Sequence, residues 1–268
     1  MFLVKFGGSV ITDKTQECTP RLEMLDRLVA EVGKPYSAGQ NIVVVHGAGS
    51  FGHIKAKRWQ VNEGMAAEEA VKERVLAASS VQADVRRLNI YVLDAFCSAG
   101  IPAVSLPPGA VGRAEGGVLS HFDTGVFADA LATGFVPVSF GDVVLDSIRG
   151  FSICSGDEVM HSIVSEMDVE RVFFVCDVDG LYDRDPKGDP GAVFHRKISV
   201  NEIREMSREE SLSEKEGKDV TGAMWGKVKW AVKMAEQGIP VHFVNGTVSG
   251  RLCDALNGNN VIQTILED

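Results

Sequence analysis

Along the chain, short runs of β-branched and aromatic residues alternate with longer segments whose apolar positions recur every three to four residues. The runs are FLVKF (2–6), NIVVVH (41–46), IPAVSL (101–106), FVPVSF (135–140), RVFFVC (171–176) and IPVHFV (239–244). Strands separated by amphipathic helices need crossover connections, so the pattern predicts an α/β fold with a mostly parallel sheet covered by helices on both faces. In TPRLEMLDRLVAEVGK (19–34), Thr19 can cap a helix and Pro20 suits its first position, while Gly33 and Pro35 predict its end.

The longest periodic segment runs from 66 to 99, with Ala70, Val71, Val75, Ala78, Val81, Val85, Leu88 and Val92 in helical register. SFGDVVLDSIRGFSI (139–153) turns around Asp146, Ser147 and Gly150, which predicts a β-hairpin protruding from the sheet edge. PPGAVGRAEGG (107–117) and DRDPKGDPG (183–191) read as loops, and the polar stretch 207–219 as a solvated, mobile excursion. No linker or repeat divides the chain, so a single domain is expected, with functional halves of about 1–165 and 166–268.

Composition narrows the partners. The chain has 268 residues, 45% of them hydrophobic, and a formal charge of −10. That balance disfavours nucleic acid and anionic membranes, so an anionic ligand must be held by locally placed lysines. Cysteines 18, 97, 154, 176 and 253 form no C-x-x-C pair, which points to a reducing cytoplasm rather than to a disulfide framework or zinc knuckle. No targeting segment or membrane span is expected.

Four glycine-bearing junctions lie where strands should end or helices begin: KFGGS (5–9), HGAGSFGH (46–53), SGDE (155–158) and TGAMWGK (221–227). In a parallel sheet the strand carboxyl ends share one edge, and bare glycine backbone beside a helix N-terminus suits a phosphate. Each junction taken singly is equally a tight turn. The chain lacks a Walker A loop, and GAGSFG matches G-x-G-x-x-G without an acidic strand end about 20 residues on to hold a ribose. Lys5 within a strand needs an anionic partner. Lys14 and Lys227 can also bring charge to the glycine loops, and Asp157 either complements its helix dipole or spaces the lysines. His53 is a structural group or a phosphate donor; His46 reads as structural, and His121, His161, His195 and His242 as surface or packing residues.

Taken in order, KFGGSVITDK (5–14), VVHGAGSFGH (44–53), GIPAVSL (100–106), VPVSFGDVV (136–144), SGD (155–157), DVDGLY (177–182) and DVTGAMWGK (219–227) resemble the amino acid kinase superfamily across essentially the whole chain. Within it, G-S-F-G-H with V-I-T-x-K resembles the branch of isopentenyl phosphate and fosfomycin kinases. The resemblance implies an open αβα sandwich whose first half binds a phosphate acceptor and whose second half binds Mg-ATP. It implies catalytic roles for Lys5, Lys14, His53, Asp157 and Lys227. ATP contacts would come from Lys5, Phe6, Gly7, Gly8, Ser9, Gly49, Asp177, Gly180, Tyr182, Thr221, Ala223 and Lys227. Acceptor contacts would come from Ala48, Gly49, Gly52, His53, Gly141 and Gly156. Ala48 and Ala223 stand where related sequences often have glycine.

By the same resemblance Mg2+ rides on ATP without protein side-chain ligands, isopentenyl phosphate is the acceptor, and the chain forms a homodimer. A phosphate monoester has a second pKa near 6, so its attacking oxygen needs no general base at neutral pH. The helix face bearing Val75, Ala78, Val81 and Val85 can pack the core and also receive an apolar acceptor tail. Two other readings stay open: a kinase for another small phosphate or phosphonate such as fosfomycin, and a noncatalytic nucleotide or oxyanion binder on the same fold.

Overall fold

A computed structural model describes residues 1–65, 71–206 and 222–268, the side chains of 222–225 excepted. All six expected strands enter one sheet: β1 (Phe2–Phe6), β2 (Ile42–His46), β3 (Ala103–Ser105), β6 (Val136–Phe140), β9 (Arg171–Cys176) and β13 (Val241–Asn245). With β12 (Lys197–Ser199) and β14 (Gln263–Glu267) the order is β12-β14-β13-β9-β1-β2-β6-β3. Every neighbouring pair is parallel except β13 with β14. From β1 the chain builds outward through β2 on one side and through β9 on the other. The crevice between the β1 and β9 carboxyl ends is therefore a topological switch point, the usual ligand position in such sheets.

Residue alternation sorts the core onto two faces. Phe2, Val4 and Phe6 of β1 pack with Ile42 and Val44 beneath α2 (Leu22–Ser37) and α4 (Val71–Ser98). Leu3, Val43 and Val45 point the other way, against α7 (Gly156–Glu166) and α8 (Gly222–Ala235). Lys5 shares the face of Leu3 and lies one residue before the strand's end. Fully buried side chains such as Phe6, Phe140, Phe174 and Val45 each stabilise the fold by about 1.5–3 kcal/mol.

Several local expectations change. The second helix starts at Leu22 behind an Arg21 cap with no side-chain bond, because Thr12 and Pro20 form a β-bridge that draws Thr19 and Pro20 out of the helix. Gly33 and Pro35 do not stop it. A Cβ on Gly33 would stand 2.6 Å from Ile101 Cδ1, so glycine there admits a neighbour, and Pro35 falls in the final turn, where few helical bonds remain to lose.

The stretch 107–117 is no loop: it forms α5 (Pro108–Val111), strand β4 (Gly112–Glu115) and the turn into β5 (Val118–Phe122). The hairpin at Ser147, made by β7 (Asp142–Asp146) and β8 (Gly150–Cys154), belongs to a second sheet ordered β5-β4-β7-β8 rather than to the main sheet's edge. Its turn is tied by Asp146, which accepts N–H bonds from Gly116, Gly117, Ile148 and Arg149. Residues 183–191 do form a loop, between β10 (Leu181–Tyr182) and β11 (Phe194–His195). The 207–219 excursion, and Ala70 with the first turn expected for α4, lie outside the described residues. No described helix is long and apolar enough to cross a membrane.

Candidate active site

The first two glycine junctions meet backbone to backbone. Gly7 donates to the Val175 carbonyl (3.0 Å) and Gly47 to that of Phe6 (2.9 Å), which fastens the turns after β1 and β2 to their neighbours. A Cβ on Gly8 would stand 2.6 Å from the Gly49 nitrogen, so a side chain at Gly8 would push the two turns apart. Gly49 has φ +50°, and a Cβ there would meet the Thr12 hydroxyl at 2.2 Å. Thr12 is fully buried, donates to the Gly8 carbonyl (2.7 Å) and accepts from the Ser50 N–H (3.0 Å), so it ties α1 (Gly8–Ile11) to α3 (Gly49–Arg58). Among the described residues, the N–H groups of Gly8, Ser9, Ala48 and Gly49 donate to no group of the chain. Four unpaired donors at adjoining helix starts form an anion cradle.

The third junction closes on the same edge. Gly141 donates to the His46 carbonyl (3.3 Å), and a Cβ on Gly156 would lie 3.3 Å from that carbonyl and 3.5 Å from Lys5 Cε. Lys5 is 5% exposed, and its ammonium forms an ion pair with Asp157. Asp157 takes the second position of α7, whose Ser155 cap accepts from the Glu158 N–H. Burial lowers the Lys5 pKa, the Asp157 charge and hydrogen bond oppose that fall, and the nearby Lys227 charge adds to it.

His53 stands on α3 with its ring reached by solvent. Surrounding protein and then the ammonium groups of Lys5 and Lys227 lower its pKa, Lys14 adds a smaller push, and Asp157 pulls upward. The charges of Lys5, Lys227, Asp157 and Lys14 all reach the His53 ring. Lys227 occupies the second turn of α8 and acts electrostatically on Lys5, His53 and Cys176.

Asp177 follows β9 across the switch point. It accepts from the Ser9 hydroxyl (3.1 Å), and one of its oxygens faces both Lys14 (3.8 Å) and Lys187 (2.5 Å). Burial pushes its carboxyl up, but the Lys187 bond, the two lysine charges and the Ser9 bond outweigh it and hold the pKa at about 2.

The remaining expected residues fall in different places. The Phe6 ring is in the core and its carbonyl is taken by Gly47, so it supports the turn from below. Gly52 is buried where a Cβ would meet Ala48 Cβ at 2.6 Å and Val85 at 3.3 Å, so its smallness serves the packing of α3 on α4. Gly180 lies against Thr264 and Phe194, and Tyr182 packs on Phe194 at 5.3 Å. Ala223 lies in the first turn of α8, and Thr221 is outside the described residues.

Of the proposed apolar face, Ala78 and Val81 pack with Val61, Val143 and Phe151 between α4 and the second sheet, whereas Val85 belongs to the main core. Val75 is 45% exposed, because the buried face of the helix there is set by Arg74, Ala77, Ala78 and Val81, and Val75 lies one residue past Arg74 around the helix. Lys187 was missed, although a lysine set among the acidic residues of DRDPKGDPG was a visible signal. The buried Thr12 and Asn89 and the half-buried Ser105 carry no such mark in the sequence. His161 packs on Trp230 and His242 on Phe173, as the packing reading expects.

The model of the amino acid kinase family matches residues 1–245. Isopentenyl phosphate kinase of Methanothermobacter thermautotrophicus is 39% identical over 265 residues, 97% of each chain. That of Thermoplasma acidophilum is 34% identical over 258 residues, 95% of each chain. An isopentenyl phosphate kinase crystal structure, 35% identical, superposes with a TM-score of 0.85 over 99% of both chains.

Proposed function

Because the chain belongs to the amino acid kinase family, we propose that it transfers the terminal phosphoryl group of ATP to isopentenyl phosphate, giving isopentenyl diphosphate and ADP. The observation that supports this reading is the buried Lys5–Asp157 pair beside the abutting Gly8 and Gly49 turns, with the charges of Lys227 and Lys14 reaching His53, an arrangement that can neutralise the main obstacle to reaction, repulsion between two phosphates. An oxygen of the acceptor monoester attacks the γ-phosphorus of ATP. The new P–O bond forms as the bond to the β–γ bridging oxygen breaks, and that oxygen leaves with its electron pair on ADP. The acceptor oxygen is already ionised, so no residue has to take a proton.

In this reading Lys5 and Lys227 face the charge moving between donor and acceptor, and Asp157 keeps Lys5 protonated and in place. His53 and the Ala48 and Gly49 N–H groups donate to the acceptor phosphate, and the Gly8 and Ser9 N–H groups donate to the phosphates of ATP. Asp177, Gly180, Tyr182, Thr221 and Ala223 serve the nucleotide, so that about 1–165 form the acceptor half and about 166–268 the ATP half. Mg2+ would be held mainly by nucleotide oxygens, and it would neutralise β- and γ-phosphate charge. A cytoplasmic homodimer completes the proposal, and the net charge of −10 argues against a nucleic-acid or anionic-membrane partner.

ADP release from ATP, measured in parallel with isopentenyl phosphate, fosfomycin and uridine monophosphate, tests it. Release driven by isopentenyl phosphate at least tenfold above the other two is expected. Equal or greater release with fosfomycin, or none with any acceptor, would overturn the assignment.

A further inference from the structure

His46, at the last position of β2, is fully buried and stacks on Phe140 with ring centroids 5.0 Å apart. Its Nδ1 lies 3.2 Å from the Gly47 carbonyl oxygen and its Nε2 3.2 Å from Asn89 Nδ2. The Asn89 carbonyl in turn accepts from the Ser105 hydroxyl at 2.5 Å. One proton arrangement satisfies every group: Nδ1–H donates to Gly47, Nε2 accepts from Asn89, and Asn89 accepts from Ser105. The other tautomer sets a lone pair against the Gly47 carbonyl. Burial lowers the ring's pKa to about 4, so it stays neutral with a single N–H to spend.

The consequence lies on the far side of one peptide bond. His46 follows Val44 on the α2 and α4 side of the sheet, whereas Lys5 points to the α7 side. The Gly47–Ala48 peptide is trans, so a Gly47 carbonyl held toward the His46 ring sets the Ala48 N–H pointing the opposite way, away from that ring. That N–H is among the four donors without a partner among the described residues. Glycine at 47 leaves this peptide free to rotate, and the ring removes that freedom. We propose that His46 is a positioning residue, which fixes the Gly47–Ala48 peptide so that the Ala48 N–H is presented to the acceptor phosphate. The inference rests on the phosphoryl-transfer reading for the identity of that phosphate, and on the geometry alone for the direction of the N–H.

The test uses His46→Asn, His46→Gln and Asn89→Ala beside the wild type. Asparagine sets an N–H near the place of Nδ1, glutamine near that of Nε2. Calorimetric titration with inorganic phosphate and with isopentenyl phosphate is combined with KM values for isopentenyl phosphate and ATP. His46→Gln is expected to lose about tenfold to a hundredfold affinity for both anions, as the loss of a charge-assisted hydrogen bond implies, with the KM for ATP unchanged. His46→Asn should keep most of that affinity. Equal anion affinity in wild type and His46→Gln overturns the proposal, as does equal loss in the Asn and Gln variants.

If His46→Gln fails to fold, Asn89→Ala carries the test, because it frees the ring to move its proton between nitrogens. A several-fold loss of anion affinity there supports the role, and no loss overturns it. Should the wild type not phosphorylate isopentenyl phosphate while the Asn and Gln variants still differ in binding inorganic phosphate, the acceptor assignment falls and the role of His46 stands.

Discussion

Replacing Asp157 by Asn removes the carboxylate from an ammonium that is 5% exposed. Breaking a buried pair from one side costs about 3–5 kcal/mol, and a chain of this size loses about 2–4 °C of Tm per kcal/mol, so the variant should melt roughly 6–20 °C below wild type. The lower end applies if Lys5 sheds its proton. Its pKa is already lowered by burial, and without Asp157 it falls further. In the wild type, a lysine whose folded pKa lies below its unfolded value of 10.5 makes stability rise with pH between the two, because the unfolded chain there holds more protons.

The deficit of Asp157→Asn should therefore be full below both folded pKa values and should close as pH rises from the variant's to the wild type's. Turnover should behave in the opposite sense, lost with rising pH earlier in the variant, because the form of Lys5 that pairs with phosphate is the ammonium. Thermal unfolding followed by circular dichroism from pH 6 to 10, with kcat over the same range, reads both. A variant melting within about 2 °C of wild type at pH 6, or a deficit that does not change with pH, would refute the reasoning. Lys5→Met combined with Asp157→Leu should recover most of the lost Tm and none of the activity, since a well-packed apolar pair replaces a buried ion pair at little cost.

Three further outcomes are expected. His53→Ala should lower kcat/KM for the acceptor by about tenfold to a hundredfold with the ATP dissociation constant unchanged, and equal loss of both in steady-state and binding assays would contradict an acceptor-side role. Gly8→Ala should abolish turnover and lower Tm, because its Cβ meets Gly49 backbone at 2.6 Å and neither turn can yield; near-normal kcat would show that the turns are not locked together. Lys187→Ala should raise the pKa of the Asp177 carboxyl from about 2, visible by NMR titration, and change the melting temperature by less than about 1 °C, because Lys187 is largely exposed. An unmoved Asp177 titration would mean that Lys187 does not hold that carboxylate in solution.

Much of the fold was legible because hydrophobic alternation is a local signal. The six apolar runs each became a strand of the large sheet, and glycine-rich turns marked where they end. β12 and β14 escaped notice because they are short or lie at the chain's end, where neighbours rather than composition make them strands. The second sheet was read as loop and edge hairpin for a related reason: Gly112, Gly116 and Gly117 look like loop residues until Phe122 of β5 pairs with the first and Asp146 accepts from the other two. Gly33 and Pro35 were read as breakers because local propensity takes no account of Ile101 filling the space that a side chain would need.

The sequence by itself determined which chemistry was available: a buried lysine one residue before a glycine turn, a histidine after another, and a carboxylate at the start of a helix. Residue order cannot say which of these meet, since Lys5 and Asp157 are separated by 152 positions, and only the packing of α7, which follows β8 of the second sheet, against the end of β1 brings them together. Tertiary structure alone decided that Gly8 abuts Gly49, that Asp177 is shared by Lys14 and Lys187, and that a buried histidine lies against the Gly47 carbonyl. The physical reason is that such contacts depend on which side chains are shielded from water and which backbones lie close enough to exclude a Cβ, and both are properties of the packed chain.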